Sequence, residues 1–236
     1  MATLPFADVG AVTEGRPLLV LAPHADDESL GCGGLIAQAC AAGAPVHVAI
    51  MTDGSRSHPN SRAFPAPRLA ALRQAEAREA VAVLGLPPEH LAFFGYQDAA
   101  APCGGGDLAV AAAGLAAFVQ ARAIGTVCAT WAHDPHCDHE ATHRIAAAAA
   151  GLAGFRHLSY AVWGWTLPAA TWLAAAPVEG FRLGIAGELA RKRQAIACHR
   201  SQLGGFINDD PEGFALPQAL LDLCDRPFET YLYNPA

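Results

Sequence analysis

The segment LLVLAPHADDESLGCGGLIAQACAAGAPVHVAIMTDG runs from Leu18 to Gly54 and carries the pattern of a strand, a helix and a second strand. Residues 18–22 and 46–51 are short apolar runs of the kind found in strands that are buried on both faces. Residues 29–42 between them are apolar and rich in alanine, which predicts a helix. This order of elements is the unit from which parallel sheets are built.

The same alternation continues towards the C-terminus. The patterns predict helices over residues 68–84, 108–123 and 140–152, and strands over residues 90–94 and 126–130. We therefore expect an α/β fold, a Rossmann-like and mostly parallel sheet with helices on both faces, over about residues 17–162.

The pattern changes after Trp163. Residues 171–175 and 180–185 flank Pro177 and predict an antiparallel hairpin, and residues 187–199 predict a helix. We interpret about residues 163–236 as a small C-terminal appendage of hairpin and helix. The expectation is a single domain that spans residues 1–236.

Composition excludes several classes of protein. The chain has 236 residues, 53% of them hydrophobic, which is enough for a large packed core. It has 15 Lys and Arg against 22 Asp and Glu, with a formal charge of −7 and no basic cluster, so nucleic-acid binding is not expected. Its apolar runs are much shorter than the roughly 20 residues that cross a bilayer, and no transmembrane segment is predicted.

The N-terminus and the cysteines bear on the compartment. Residues 1–15 lack a basic region followed by an apolar core, which is not the pattern of a secretion signal, and we expect a cytoplasmic protein. Seven cysteines without a CxxC pair indicate reduced thiols rather than a disulfide framework or a cysteine-built zinc site.

Residues capable of binding metal follow two of the predicted strands. His24, Asp26 and Asp27 come after the strand 18–22, and a second group, with His136 and His139, comes after the strand 126–130. The carboxyl ends of parallel strands meet at the ligand-binding edge of the sheet. Adjacent carboxylates there repel each other unless a cation lies between them or one is protonated. The pattern predicts a divalent metal site.

Two imidazoles and one carboxylate, with open positions for water and substrate, are typical of a catalytic zinc site. His24, Asp27 and His139 would supply them, and the same set suits Fe²⁺. Asp26 is then free to act as general base towards a water activated by the cation. His136 could donate to the oxyanion or to the leaving nitrogen, with Asp138 fixing its tautomer. These parts predict metal-assisted amide hydrolysis.

The motifs HADDE at 24–28 and HCDH at 136–139 resemble those of the LmbE-like, PIG-L-type N-acetylglucosaminyl deacetylases. The usual motifs carry prolines where this chain has Ala25 and Cys137. The resemblance implies a zinc-dependent enzyme that removes an acyl group, in the usual case acetyl, from an N-acetylglucosamine-type sugar or its conjugate. It implies zinc on the three predicted ligands and sugar contacts from Arg73 and Asp98.

Other readings stay open at this point. One is a member of the same fold that binds metal or sugar without catalysis, which would have little reason to keep the free carboxylate of Asp26. Another is dinucleotide binding through the glycines of 31–34, which the acidic residues of 26–28 oppose. The carrier of the sugar, the oligomeric state and the roles of His133, His199 and the Trp163 and Trp165 pair are not determined by the sequence.

Overall fold

A computed structural model describes residues 4–174 and 179–234, and within these ranges eight strands form one sheet. The strands are β1 (Phe6–Ala7), β2 (Leu18–Ala22), β3 (Val46–Thr52), β4 (Leu91–Tyr96), β5 (Thr126–Thr130), β6 (Arg156–Tyr160), β7 (Gly180–Gly184) and β8 (Phe228–Tyr233). Their order across the sheet is β1-β7-β8-β6-β5-β2-β3-β4. Strand β8 is antiparallel to both of its neighbours, and the other pairs are parallel.

The helices lie between these strands along the chain. They are α1 (Val9–Thr13), α2 (Asp27–Ala41), α3 (Ala66–Val83), α4 (Gly105–Ala121), α5 (Cys137–Ala153), α6 (Ala169–Ala174), α7 (Leu189–Cys198) and α8 (Gln218–Cys224). The predicted Rossmann-like α/β fold, with its mostly parallel sheet, is confirmed. None of the described helices is long and apolar enough to cross a bilayer.

Strand β2 shows why the helices cover both faces of the sheet. Leu18 and Val20 pack in one hydrophobic cluster with residues of α2 and α3. Leu19 and Leu21 point to the opposite face and pack in a second cluster with residues of α4 and α5. Because successive side chains of a strand alternate between faces, a strand that is apolar throughout needs cover on both.

The predicted hairpin after Trp163 is wrong. Residues Ala169–Ala174 form helix α6, in keeping with their alanine content, while Pro177 lies outside the described residues. Strand β7 pairs with β8 and with β1 rather than with residues 171–174, and Ala175 lies outside the described residues. The C-terminal strands therefore extend the main sheet. This pairing joins segments that are distant in sequence, and local patterns do not reveal it.

The glycines at 31–34 have a packing role in the structure. They lie inside α2 rather than in a phosphate-binding loop. A Cβ atom at Gly31 would lie 2.3 Å from the ring of Tyr160, and one at Gly34 would lie 2.4 Å from the side chain of Ile185. Glycine at these positions lets α2 pack closely against its neighbours, which accounts for the motif without a nucleotide.

Candidate active site

The turn between β2 and α2 brings three polar side chains to the edge of the sheet. The carbonyl of His24 accepts hydrogen bonds from the backbone N–H groups of Asp26 and Asp27, so the chain turns sharply into the helix. Asp27 is the first residue of α2, and its Oδ2 accepts a hydrogen bond from the backbone N–H of His24 at 3.0 Å. His24 and Asp27 are thereby held on one turn, as their spacing predicts.

The turn between β5 and α5 supplies the second group. His136 caps the N-terminus of α5, because its Nδ1 accepts a hydrogen bond from the backbone N–H of Asp138 at 3.2 Å. In the neutral ring this bond places the proton on Nε2. His139 lies in the first turn of the same helix and is fully buried.

The three predicted ligands converge on one point. Asp27 Oδ2 lies 3.2 Å from His24 Nδ1 and 3.2 Å from His139 Nε2. This Nε2 of His139 is buried, and its contact with Asp27 does not have the geometry of a hydrogen bond. It therefore has no hydrogen-bond partner among the described residues. A buried imidazole nitrogen without a partner, facing a carboxylate and a second imidazole, fits the donor set of a divalent cation.

The pKa shifts at this point agree with that fit. Burial alone would lower the pKa of His139, but Asp27 and Asp134 outweigh it and raise the value to about 9. The pKa of His24 is also raised, against burial, by the carboxylates around it. Burial would raise the pKa of Asp27, yet the imidazoles lower it. The site thus favours positive charge between its imidazoles and its carboxylate, which a divalent cation provides.

Two further carboxylates orient the imidazoles. His139 Nδ1 lies 3.2 Å from Asp134 Oδ2, and His24 Nε2 lies 3.1 Å from Asp138 Oδ2. With its proton on the nitrogen facing the carboxylate, each ring presents the other nitrogen to the metal position. The sequence analysis missed Asp134, although it lies in the same loop as His136.

The structure differs from the predicted role of Asp138. Its carboxylate accepts from His24 and from the backbone N–H groups of Ala99 and Ala101, while only its backbone N–H contacts His136. The tautomer of His136 is therefore set by the helix cap. The segment after β4 holds the carboxylate of Asp138 through these two N–H groups.

His136 completes the polar cluster. Its ring lies 4.7 Å from that of His24, nearly perpendicular to it, and donor atoms of His24, His136 and His139 all lie within 4.8 Å of one another. Burial lowers the pKa of His136, as do the neighbouring imidazoles, and favours a neutral ring. The three imidazoles are a second possible ligand set beside the predicted one.

Asp26 is the carboxylate next to the predicted ligands. It is buried and caps α2 in sequence, but its side chain makes no capping bond. Arg73 Nη2 lies 3.4 Å from Asp26 Oδ2. Burial raises the pKa of Asp26 in spite of this arginine. A carboxylate that is free of the helix and more basic than usual suits a general base.

Arg73 was expected to contact the sugar, and its guanidinium is instead largely occupied by the protein. It is 3% exposed and donates to the carbonyls of Ala25 and Gly54 besides contacting Asp26. Gly54 has a φ of 64°, and a Cβ atom there would lie 2.6 Å from Arg73 Nη1. This glycine leaves space for the guanidinium of Arg73 beside Asp26.

Glu28 and His199 support the same turn. Glu28 accepts hydrogen bonds from the backbone N–H of Asp26 at 3.0 Å and from the hydroxyl of Ser29. His199, which the sequence left without a role, is buried with its Nε2 2.9 Å from Glu28 Oε1. His199, which follows α7, therefore stabilises through Glu28 the turn that carries His24 and Asp27.

A cavity of about 210 Å³ opens beside these groups. Asp98 lies in its wall, with Oδ2 accepting from the backbone N–H of Arg56 and Oδ1 3.4 Å from His24 Nε2. Burial raises the pKa of Asp98, but His24 and this N–H outweigh burial and lower it to about 2. The lining residues are His24, Asp26, Asp27, Leu30, Arg56, Ser57, Arg73, Asp98, Ala99, His136, Trp163, Gln202, Phe214 and Leu216.

Two loops that contact each other, residues 55–64 and 203–217, contribute Arg56, Ser57, Phe214 and Leu216 to the wall of the cavity; we call these two loops the loop clasp. Asp209 and Asp210 accept hydrogen bonds from three backbone N–H groups of the first loop. Phe214 donates its own N–H to that loop at 2.8 Å, and its ring contacts Trp163 edge-on at 5.9 Å. The sequence analysis missed this wall, because nothing local marks its long-range hydrogen bonds.

A family model described as PIG-L, GlcNAc-PI de-N-acetylase, matches residues 19–150, which carry all three predicted ligands and Asp26. The chain belongs to this family. The resemblance inferred from the sequence motifs is confirmed. A search of curated protein sequences found no match.

Solved structures show the same fold. The N,N'-diacetylchitobiose deacetylase from Pyrococcus horikoshii is 21% identical, with a TM-score of 0.70 over 97% of this chain and 87% of that one. A deacetylase triple mutant from the teicoplanin biosynthetic pathway is 23% identical, with a TM-score of 0.69 over 92% and 97%. The conserved protein TT1542 from Thermus thermophilus is 28% identical, with a TM-score of 0.59 over 79% of each chain. The PIG-L family member thus has the deacetylase fold.

Proposed function

We propose that this PIG-L family protein is a metal-dependent hydrolase that removes an acyl group, in the main case acetyl, from an N-acetylglucosamine-type amino sugar or its conjugate. The observation that carries the proposal is the convergence of His24 Nδ1, Asp27 Oδ2 and His139 Nε2, the last of them buried without a hydrogen bond in the described structure. These residues would hold Zn²⁺, and their chemistry also suits Fe²⁺.

The cation, when bound, supplies a Lewis acid that polarises the amide carbonyl and makes water more acidic. Asp26 takes the proton of the attacking water while the water oxygen bonds to the carbonyl carbon. The carbon–nitrogen bond then breaks, and the nitrogen leaves as an amine after receiving that proton. The contact with Arg73 orients the carboxylate of Asp26 for both transfers.

His136 is the proposed donor to the carbonyl oxygen as it gains negative charge. Its Nδ1 is engaged by the helix cap, which leaves a proton on Nε2 of the neutral ring. A donor that is fixed before the reaction stabilises the oxyanion without reorganisation. Asp138 contributes by holding His24 through its carboxylate and His136 through its backbone.

The cavity supports a small hydroxyl-rich substrate. At about 210 Å³ it is smaller than the sites of about 300–1,000 Å³ that hold drug-sized ligands, which favours one sugar ring inside it. Asp98 offers a carboxylate to sugar hydroxyls, and Trp163 offers an apolar surface to the ring. The similar deacetylases of chitobiose and of the teicoplanin pathway support the same substrate class. A cytoplasmic location and a single domain over residues 1–236 stay predictions from the sequence.

Release of acetate from N-acetylglucosamine conjugates and from an acetyl-lysine peptide, with protein loaded with Zn²⁺ or Fe²⁺, tests the proposal. We expect the sugar amides to react much faster than the peptide. Asp26→Asn should keep its metal and fold but lower the rate by about 10²- to 10⁴-fold, the usual contribution of a general base. A folded, metal-loaded protein that hydrolyses none of these amides would instead support the non-catalytic binding alternative.

A further inference from the structure

A thiol stands at the rim of the proposed metal site. Cys137 is the first residue of α5 and is exposed to solvent. Its Sγ lies 4.0 Å from His136 Nδ1 and 3.9 Å from Asp138 Oδ1. One donor atom from each of these three residues lies within 4.8 Å of the other two. The chain thus places a sulfur, a nitrogen and an oxygen donor together, with the sulfur on the exposed residue.

We propose that His136, Cys137 and Asp138 bind a second, inhibitory divalent cation of the thiophilic class, such as Zn²⁺. With zinc–sulfur and zinc–nitrogen bonds of about 2.3 and 2.0–2.1 Å, tetrahedral geometry puts the two donors about 3.6 Å apart. The observed separations exceed this by a few tenths of an ångström. An exposed side chain in the first turn of a helix can make that adjustment.

Each donor has an electron pair to offer. His136 Nδ1 carries the lone pair that now accepts the cap bond from the backbone of Asp138, and a cation would replace that bond. Asp138 Oδ1 accepts from the N–H of Ala101 at 3.0 Å, which leaves its second lone pair free. The Cys137 thiol gives up its proton to solvent on binding. Water fills the fourth position.

The position of this site predicts its effect. A cation there replaces the cap bond that fixes the ring of His136, the proposed oxyanion donor, and pulls on the carboxylate of Asp138, which orients His24. Excess Zn²⁺ should therefore inhibit the enzyme while one equivalent activates it. The inhibition rests on the proposed function, whereas binding of the second cation does not.

Cadmium provides a readout that is independent of activity. A Cd²⁺–thiolate bond absorbs in the ultraviolet, and the proposed catalytic site contains no sulfur, so this absorption does not come from that site; variants of single cysteines assign it to one thiol. Protein loaded with one equivalent of Zn²⁺ and titrated with Cd²⁺ should gain the band with a stoichiometry of about one. Cys137→Ser should lose the band, keep its rate at one equivalent of Zn²⁺ and resist inhibition by excess Zn²⁺.

Cys103→Ser is the matched control, because Cys103 is also exposed but belongs to no group of metal donors within residues 4–174 and 179–234. Its band and its inhibition should equal those of the parent. The proposal is overturned if the parent shows no band at saturating Cd²⁺, or if the band persists in Cys137→Ser. A band that depends on Cys137 in a protein without hydrolase activity would support the site and contradict the proposed function.

Discussion

Helix α2 contacts two clusters of buried charge, one at its first turn and one near its middle. At the middle, Glu229 of β8 accepts hydrogen bonds from the backbone N–H groups of Gly34 and Leu35, from Lys192 Nζ at 2.7 Å and from Tyr231 Oη at 2.9 Å. At the first turn, two carboxylates face two imidazoles, and polar atoms of His139 and Arg73 are without hydrogen-bond partners in the described chain.

The two clusters differ in whether the protein alone satisfies their polar groups. A buried charge costs little when every polar atom around it is satisfied, and the Glu229 cluster meets this condition within the protein. The cluster at the first turn does not, and an unsatisfied buried group costs about 1–3 kcal/mol. Its groups suit the proposed cation and substrate, while the Glu229 cluster fixes α2 against β8 and α7.

The largest effect is expected from removing a ligand at the first turn. His139→Ala should lower zinc affinity by more than about 100-fold, since loss even of a residue that only orients a ligand costs about 10- to 100-fold. Asp134→Asn should fall within that smaller range. Chelator competition on the folded proteins measures both. Stoichiometric, tight zinc in His139→Ala would remove this residue from the ligand set.

Lys192→Met tests the Glu229 cluster near the middle of α2, where we expect an effect on stability rather than on metal binding. Loss of the lysine leaves Glu229 charged and buried, which should lower the free energy of unfolding by about 3–5 kcal/mol. Zinc affinity and the rate per folded molecule should not change. Denaturant titration and metal binding measure these quantities.

The neighbouring residue offers a control. Arg193 pairs with Asp225 at the surface, and Arg193→Met should lower the free energy of unfolding much less than Lys192→Met does, because water screens an exposed pair. Adding Glu229→Gln to Lys192→Met removes the unpaired charge and should recover part of the stability. If Lys192→Met and Arg193→Met lower the free energy of unfolding equally, the contrast between the buried pair and the exposed pair is wrong.

Substitutions of Asp98 and Arg73 should change different kinetic constants, although both residues line the cavity. Asp98→Ala removes the carboxylate that we propose contacts the substrate, and we expect kcat/KM for the sugar amide to fall by an amount that corresponds to about 1–3 kcal/mol of transition-state stabilisation. Arg73→Lys disturbs the residue that orients Asp26, so kcat should fall with little change in KM. Steady-state kinetics on metal-loaded protein measure the split, and a pure KM effect for Arg73→Lys would return this residue to substrate binding.

The smallest effect concerns an unsatisfied nitrogen away from the site. His157 Nε2 is buried without a partner in the described residues, and burial together with His143 lowers the pKa of His157 to about 3. The unfolded chain binds this proton near pH 6.5, so stability is fully present above that pH and is lost as the pH falls below it. From pH 7 to pH 5 the loss should be about 1–2 kcal/mol.

His157→Gln removes this titration. Denaturant unfolding at the two pH values should show a smaller difference for the variant than for the parent. A difference of the same size would mean that other groups cause the acid sensitivity.

The sequence predicted the parts of the molecule that depend on local pattern. The alternation from β2 to α5 follows from apolar runs and turn residues, and the positions of His24, Asp27 and His139 follow from the rule that strand ends meet at one edge. Asp134 and the cap at His136 were missed or misread, because the direction of a side chain within a loop is set by tertiary contacts.

The C-terminal third was predicted least well for the same reason. Strand β8 and the loop clasp depend on partners far away in the sequence, such as Glu229 with Gly34 and Asp209 with Ala63. Arg73 lines the cavity, and its predicted contact with a sugar stays a prediction, but its contacts with Ala25, Gly54 and Asp26 were not foreseen. Arg73 is buried beside Asp26 because Gly54 has no side chain to occupy that space. Residue spacing in the sequence does not reveal such a contact.

The position of β8 inside the sheet has a consequence for how the protein folds. The pairs β2–β3, β3–β4 and β5–β6 join strands that follow one another along the chain. The pairs β2–β5, β1–β7 and β6–β8 join distant segments, such as Leu18 with Thr126, Phe6 with Arg182 and Leu158 with Tyr233. Contacts between distant segments require the closure of long loops and slow the folding reaction. We therefore expect the pairs of consecutive strands to form early, and β1, β7 and β8 to join the sheet late. Until then the ion pair between Lys192 and Glu229 cannot form. Helix α2, which begins at Asp27, is therefore fixed against β8 only in the last stage of folding.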